Sequence, residues 1–502
     1  MPYTGDGDDK VVPFPTTAEE RKAIQRAKQE AERRRLADLF VDEAACGQTL
    51  FRTPDGECYA DLIIEGVRQT WPIRSKRFRA EYVRYLKRQQ ARLTNAGAPL
   101  ATLIGAVSFN KTNINAAIDD FELKAISSSV EREVHVRVAR DGDQLYIDLG
   151  DPQWRAVRIT ADGWTVVENP PVRFRRTSDM RPLPFPEHGG SINALRPFLS
   201  NLSDDQFTLI IAFLLDALQP KGPYPVLVVY GEQGWAKTGL LRLLRALTDP
   251  NKVMTAPLPA SSRDLYVAAR NSHIQAFENV SRISDAISDN LCRLATGGGM
   301  RTRALWTNAD ETTFAGARPI MMEGISAFVT RPDLLDRALI LALESPPNRK
   351  TERELCIEFD QRKAGIFGAL LDMLAAGVRR LPETRLVNPP RMADFAIWSA
   401  ACGLDTFEAA YARNRLDAAD AILEHDLLAQ SLKALVAAKV EWRGTSQELL
   451  DQIGNAARIT DPRTLSDRLR RLAQPLRSHG IWISHEPRKA KRREIVIARV
   501  ER

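Results

Sequence analysis

The chain has 502 residues and a hydrophobic fraction of 44%, enough for roughly three domains that each bury a core. No run of about 18 uninterrupted apolar residues occurs, and the polar, acidic start is unlike a secretory signal, so no membrane partner is expected. The five scattered cysteines form no zinc or disulfide spacing, and the net charge of +7 is modest for this length. These features predict a cytoplasmic protein with reduced thiols.

The N-terminal third is expected to hold two segments. Residues 1–50 predict a charged helical segment, because helix formers with charges of both signs fill its second half; a basic arm for nucleic acid is the alternative. Residues 51–190 predict a mixed α/β module. In it a basic stretch carries Trp71, Phe78 and Tyr82, a pattern that suits either nucleic-acid contacts or an amphipathic helix with snorkelling basic side chains.

The end of this module predicts a β meander. Alternating apolar and polar residues flank Asp141-Gly142 and Asp162-Gly163, and both dipeptides are hairpin signals. A proline-rich linker follows over 170–186. The meander is expected to be a small separate module that forms a collar or an oligomerisation surface.

A phosphate loop is predicted where an apolar, β-branched run meets a glycine-bearing loop and a leucine-rich helical pattern. Glycines let the backbone N–H groups turn inward around phosphates, and the helix N-terminus adds its dipole. In the Walker A pattern, Lys237 reaches the β- and γ-phosphates and Thr238 binds Mg²⁺. The residues expected to hold ATP are Gly231, Glu232, Gln233, Gly234, Trp235, Ala236, Lys237, Thr238 and Gly239.

Two further apolar strands end in acids that hydrolysis needs. The first ends in Glu278-Asn279, the Walker B arrangement, where Glu278 holds Mg²⁺ through water or polarises the attacking water; a strand-edge glutamate without a role is the alternative. The second ends in Glu323, where a polar sensor residue would reach toward the γ-phosphate. Both acids and Asn279 are therefore candidate catalytic residues.

Arginines downstream of the first acid suggest contacts in trans and with DNA. Arg331 and Arg337 precede the last strand and are well placed to enter a neighbouring subunit's nucleotide site, or they pair internally with Asp333 or Asp336. Arg301 and Arg303 follow three glycines that end a helix; a flexible basic loop contacting a strand in a pore and a glycine cap with surface arginines are both open.

The stretch from Gly231 to Leu343 resembles ATP-binding proteins of phage, plasmid and integrative-element origin, related to superfamily-three and AAA+ replicative helicases and primase-helicases. The motifs that carry the resemblance are GEQGWAKT, AFENVS, LCRLATGGG and RPDLLDRAL. The flanking stretches QTWPIRS, EREVHVRV, RAVRITADGW, NPPVRFRR and RMADFAIWSAACG extend it over most of the chain beyond about residue 50. The resemblance implies ATPase activity, a homo-oligomeric ring that is expected to be a hexamer, and DNA as the track.

Two positions depart from the family pattern. The Walker B strand more often ends in Asp-Asn, and this chain has Glu278-Asn279; the sensor strand typically ends in Asn, and this chain has Glu323. A carboxylate near the γ-phosphate is unfavourable unless it is protonated or paired with a cation. With the bulky Trp235, these departures motivate the alternative of an ATP-gated DNA-binding regulator, loader or anti-phage sensor with slow or no hydrolysis.

The C-terminal block, residues 441–502, predicts a winged helix that binds duplex DNA, because two helical patterns precede a hairpin with a basic tip. A wing used for protein contacts is the alternative. The expected DNA-binding residues here are Arg463, Arg468, Arg470, Arg471, Arg488, Lys489, Lys491, Arg492 and Arg493.

The predicted fold is α/β: a P-loop AAA+-like ATPase core over residues 191–345, preceded by the β-rich N-terminal module and followed by a helical lid over 346–440 and the winged helix. The predicted function is an ATP-dependent DNA helicase or translocase of mobile-element replication. Single-stranded DNA would lie in the pore of the ring.

Overall fold

The computed structural model describes residues 18–19, 22–23, 25–31, 33–34, 50–95, 111–303, 311–314, 316–325, 327–346, 351–457, 459–485 and 494–499. These residues form two compact units: the first lies within 1–134 and 173–176, and the second within 135–172 and 177–502. Both units mix helices and strands, which confirms the α/β prediction. In the described chain, no helix is long and apolar enough to cross a bilayer.

The first unit is an antiparallel sheet with two helices. Phe78 and Tyr82 of its first helix both pack edge-on against Phe121 of the second, with ring centroids 5.4 and 5.2 Å apart. Both side chains are buried in this core, so they are not available to nucleic acid. Of the two interpretations of this stretch, the amphipathic helix is therefore the correct one for Phe78 and Tyr82. The elements are β1 (Leu50–Arg52), β2 (Cys58–Ile64), β3 (Val67–Pro72), α1 (Lys76–Asn95) and α2 (Lys111–Ser127).

The second unit begins with the meander, whose two predicted hairpins are present. Its four strands pair in sequence order, all antiparallel. Leu145 and Ile159 lie in the same hydrophobic core as the helices that flank the central sheet, because one face of the meander is apolar and needs cover. The meander is therefore not a separate module, and the range 51–190 is divided between the units. The meander strands are β5 (Val138–Asp141), β6 (Gln144–Asp148), β7 (Ala156–Thr160) and β8 (Gly163–Val167). The short strands β4 (Val134–His135) and β9 (Arg173–Phe174) are not part of it, and β9 lies in the first unit.

The central sheet of the second unit has five parallel strands in the order β11-β12-β15-β10-β16. Its middle strands are apolar along their length because both faces are covered by helices. Alternate residues of β10, such as Leu227 and Val228, enter two different cores. The strands are β10 (Val226–Tyr230), β11 (Ala256–Pro257), β12 (Gln275–Glu278), β15 (Ile320–Gly324) and β16 (Ala338–Ala342), with a hairpin of β13 (Met300–Arg303) and β14 (Glu311–Phe314) before β15.

Helices cover both faces and one edge of this sheet. Asn414 covers the edge: its Oδ1 accepts the Ile340 N–H at 3.1 Å and its Nδ2 donates to the Ile340 carbonyl, so β16 has no open edge at that residue. The helices after a 3₁₀ turn (Ile192–Leu199) are α3 (Asp204–Ala217), α4 (Lys237–Thr248), α5 (Ser262–Asn271), α6 (Asp285–Thr296), α7 (Pro332–Leu335), α8 (Glu352–Arg380), α9 (Ala393–Ala401), α10 (Phe407–His425) and α11 (Leu427–Ala438).

The C-terminal part of the second unit packs two helices on a small antiparallel sheet of order β17-β19-β18. It has its own core, in which Leu465 and Leu469 of the second helix are fully buried. The elements are β17 (Glu441–Gly444), α12 (Ser446–Ala457), α13 (Pro462–Ser478), β18 (Ile481–His485) and β19 (Ile495–Arg499).

Candidate nucleotide site

The loop between β10 and α4 has the backbone shape of an anion cradle. Gly234 has φ +85° and Ala236 has φ 57°, so the left-handed region is occupied twice just before the helix begins at Lys237. Such turns aim successive N–H groups into one concavity. The buried Lys237 folds back over the loop, where its Nζ donates to the carbonyl oxygens of Gly231 at 2.9 Å and Glu232 at 2.8 Å. A fixed positive charge therefore lies at the start of the helix.

Trp235 is the bulky residue of this loop, and its ring faces the main hydrophobic core. Its ring packs against the main hydrophobic core, and a Cβ on Gly231 would lie 2.6 Å from its Cε3. Asn201 also holds the tryptophan, donating from Nδ2 to the Trp235 carbonyl at 3.2 Å. The Trp235 ring therefore holds the loop against the core. It also leaves no room for a side chain at residue 231, which explains the glycine there.

The two candidate acids lie on neighbouring strands at the same edge of the sheet. β15 lies between β10 and β12, and Glu323 is in register with Val229, one residue before β10 ends. Glu323 is 1% exposed, and its Oε1 accepts two hydrogen bonds, from the Thr238 hydroxyl at 2.9 Å and from the Asn279 N–H at 3.0 Å. The sensor-strand carboxylate is thus the acid that contacts Thr238.

Glu278 has a different partner. Its Oε2 accepts the Thr255 hydroxyl at 2.5 Å, and its side chain is partly exposed. The following Asn279 has φ 54°, a left-handed conformation that asparagine tolerates, and this turns its N–H toward Glu323. Asn279 therefore contributes its backbone N–H, which donates to Glu323. Glu278 is oriented by the hydroxyl of Thr255, which immediately precedes β11.

Arg337 lies away from this chain's own loop, and Arg331 lies against the start of α6. Arg337 immediately precedes β16, whose first residue pairs with Val226, whereas the loop follows the other end of β10. Four residues of strand correspond to about 13 Å. Arg337 donates from Nη1 to the Asp333 carbonyl at 2.6 Å, and Arg331 pairs with Asp289 at 2.8 Å and Asp285 at 3.5 Å.

The basic residues after α6 lie on a strand of a hairpin, and Gly297 ends the helix with φ +83°. Arg301 is in register with Thr313, and Arg303 is in register with Glu311. Thr302 is in register with Thr312, and threonine is a residue that favours strands. The tip of the hairpin, residues 304–310, lies outside the described residues.

The C-terminal basic residues differ in their surroundings. Arg468 donates to Asp426 at 2.8 Å and so fastens α13 to the start of α11, whereas Arg470 pairs with Asp467 on its own helix and Arg463 is exposed. The side chain of Arg471 and all of Arg488, Lys489, Lys491, Arg492 and Arg493 lie outside the described residues. Sequence analysis missed an exposed pair: the Arg477 guanidinium lies 3.8 Å from the ring centroid of Trp482.

A cavity of about 620 Å³ adjoins the phosphate loop along α4. Its wall includes Ala236 and Gly239 at the start of that helix, and the apolar side chains of Phe198, Leu355 and Phe359. An apolar wall beside a phosphate cradle fits an aromatic base. No local pattern in the sequence indicates this cavity, because its lining comes from four separate segments.

Two family models match the chain. Residues 193–428 match the actinomycete integrative conjugative element replication protein, and residues 428–502 match the AICE RepA C-terminal domain. No curated protein matches the chain.

Solved structures similar to the chain include two at low identity. One is titled "SCCmec type IV Cch - active helicase", with 12% identity and a TM-score of 0.47, covering 90% of this chain and 92% of that one. Another is the apo NrS-1 C-terminal region in its A form, with 13% identity and a TM-score of 0.36, covering 77% of this chain and 90% of that one. The two family matches show that residues 193–502 resemble the replication proteins of actinomycete integrative conjugative elements.

Proposed function

We propose that the protein is an ATP-driven DNA translocase or helicase that serves the replication of its mobile element. The observation that carries this proposal is the meeting of Lys237, Thr238 and two strand-end carboxylates at one edge of a parallel sheet. A phosphate cradle, a hydroxyl and neighbouring acids are the parts that phosphoryl transfer needs. The match of residues 193–428 to a family of replication proteins supports DNA as the track.

The proposed roles in one subunit follow from the donors present. Lys237 and the loop N–H groups bind the phosphates, and Glu278, held by Thr255, orients the attacking water. Hydroxyl and carboxylate oxygens are the ligands that Mg²⁺ prefers, so the Thr238 hydroxyl and the acids fit that ion. Bound Mg²⁺ would neutralise charge on the phosphates. The base would occupy the apolar cavity beside Gly239.

The arginines are proposed to act between subunits. Arg337 lies at the opposite edge of the sheet from this chain's loop, so it cannot serve its own site without a large movement, and Arg331 is paired with acids at the start of α6. The aspartates that hold them are half or more exposed, which leaves the pairs open to exchange partners at a subunit contact. A ring, expected to be a hexamer, would bring one of them to the neighbour's γ-phosphate.

DNA is proposed to contact two places. The hairpin that carries Arg301 and Arg303 would meet a single strand in the pore of the ring. The C-terminal helices and sheet follow the order of a winged helix, and α13 would present Arg463 to duplex DNA. Trp482 and Arg477 form an exposed pair, and this pair is an additional surface for contacts with a base or sugar.

A second candidate function is an ATP-gated regulator or loader with slow hydrolysis. The buried Glu323 favours it, because a carboxylate that already bonds Thr238 changes the charge around the γ-phosphate. The regulator would bind ATP and DNA without sustained turnover.

The test of the proposal is ATP hydrolysis by mixtures of two inactive variants. Lys237→Ala and Arg337→Ala should each abolish turnover alone, because the first cannot bind phosphates and the second lacks the finger. An equimolar mixture should regain part of the activity, since some interfaces combine an intact loop with an intact arginine. Arg331→Ala is measured in the same way, alone and mixed with Lys237→Ala, to decide which arginine acts between subunits. Full activity of both arginine variants, or no recovery in mixed oligomers, would contradict the shared site.

A further inference from the structure

The geometry points to Glu323, rather than Glu278, as the acid on the metal side of the nucleotide site. This assignment rests on the proposed ATP-binding function. It makes the sensor-strand carboxylate responsible for the dependence of nucleotide binding on Mg²⁺. Glu278 is left to act on water.

The first argument is the Thr238 hydroxyl. It has a single hydrogen, and that hydrogen is donated to Glu323 Oε1 across 2.9 Å. Its oxygen lone pairs therefore stay available to a cation. A hydroxyl that donates to a carboxylate and offers its lone pairs is oriented for a hard cation that prefers oxygen ligands.

The second argument is the strand order. β15 is the direct neighbour of β10, while β12 is one strand further away. Glu323 is therefore closer along the sheet to the loop than Glu278 is. Glu278 is engaged by Thr255 at 2.5 Å, on the side of the edge strand β11.

The third argument is charge. Glu323 is 1% exposed, and the nearby ammonium of Lys237 is bound to the carbonyl oxygens of Gly231 and Glu232. A buried carboxylate is costly unless a cation accompanies it. Phosphates that arrive without a metal would add negative charge next to it, whereas phosphates with Mg²⁺ bring a cation. Glu323 thus disfavours free ATP and favours the metal complex.

The neighbours of Glu323 make a clean substitution possible. In Glu323→Gln, the side-chain oxygen can still accept the Thr238 hydroxyl and the Asn279 N–H, so the charge changes and both hydrogen bonds stay. Glu323→Asp keeps the charge and shortens the side chain by one methylene. Glu278→Gln makes the same charge change on the adjacent strand, and Glu232→Gln makes it on the exposed part of the loop.

The experiment measures the affinity of the full chain for the N-methylanthraniloyl derivative of AMP-PNP by fluorescence, in Mg²⁺ and in EDTA. The ratio of the two dissociation constants is the readout. For the wild type it should be large; Glu323→Gln should shrink it on the order of tenfold or more, by tightening the complex in EDTA and weakening it in Mg²⁺. Glu323→Asp should preserve most of the ratio, and the two other variants should change it far less.

Three results would overturn the inference. An unchanged ratio in Glu323→Gln, or a larger loss of the ratio in Glu278→Gln, would return the metal side to Glu278. A wild type that binds no nucleotide in either buffer would remove the proposed function as well, which separates the two failures. If Glu323→Gln does not fold, Glu323→Asn is measured instead. Electron paramagnetic resonance of Mn²⁺ with the ADP-loaded protein then gives a second readout, in which the Asn variant should bind Mn²⁺ more weakly than Glu278→Gln.

Discussion

A buried ion pair joins the meander to the base of the central sheet, and its removal is the sharpest test of that packing. Arg137 is fully buried, and its Nε donates to Asp249 Oδ1 at 3.0 Å. The remaining guanidinium N–H groups donate to the carbonyl oxygens of Asp148, Arg181 and Pro250. Asp249 follows α4, and its Oδ2 accepts the backbone N–H groups that lead into β12. One side chain therefore connects the meander, the phosphate-loop helix and the acid-bearing strand.

Arg137→Met keeps the apolar stem and removes every one of these donors. Breaking a buried pair by removing one partner costs about 3–5 kcal/mol, because the other charge stays buried. Asp249 keeps its backbone donors, which places the expected loss near the lower end, about 3 kcal/mol. Burial opposes ionisation of Asp249, but Arg137, Arg245 and the Ile274 N–H hold its pKa below the usual value; the variant removes the first of these and keeps the other two.

The assay is urea unfolding followed by far-ultraviolet circular dichroism, analysed for the transition of the second unit. Arg155→Met is the matched control, because Arg155 pairs with Asp151 in the same meander but is partly exposed, and its loss should cost at most about 1 kcal/mol. Equal losses in the two variants would refute the claim that the meander is fastened to the sheet through Arg137.

Two further predictions concern acid stability and the cavity. Burial lowers the pKa of His273 to about 4. Between that pKa and about pH 6.5, the unfolded chain binds a proton at this histidine and the folded chain does not. Stability should be complete above pH 6.5 and fall by about 3 kcal/mol toward pH 4, and His273→Gln should flatten that part of the profile; an unchanged pH profile would contradict the burial argument. Leu355→Trp should fill the cavity and weaken nucleotide binding about tenfold or more, whereas Ile357→Trp, on the exposed face of α8, should not; equal affinities would place the base elsewhere.

Much of the candidate nucleotide site could be predicted from local sequence patterns. The apolar run of β10, the glycine turns and the helix start at Lys237 are adjacent in sequence, so their chemistry can be inferred from neighbours. The ends of β12 and β15 were also recognisable from their apolar runs. What the sequence does not contain is strand order, and strand order decides which of Glu278 and Glu323 meets Thr238.

Long-range pairing accounts for most of what was missed. Arg137 sits in an alternating strand pattern like its neighbours, and nothing local reveals a partner 112 residues away. Arg468 looked like a DNA contact because its helix is basic, yet the fold places it against Asp426. The meander was expected to stand alone because its hairpins are complete, but hairpin signals say nothing about what covers the apolar face.

Steady-state ATP hydrolysis, with and without single-stranded DNA, tests the central claim most directly. The wild type should turn over ATP faster when DNA is present. Lys237→Ala should lose both binding and turnover, because it removes the ammonium group that is proposed to bind the phosphates. Nucleotide binding without turnover under every DNA condition would contradict a DNA motor and leave the regulator. Unchanged nucleotide affinity in Lys237→Ala would contradict the phosphate loop itself.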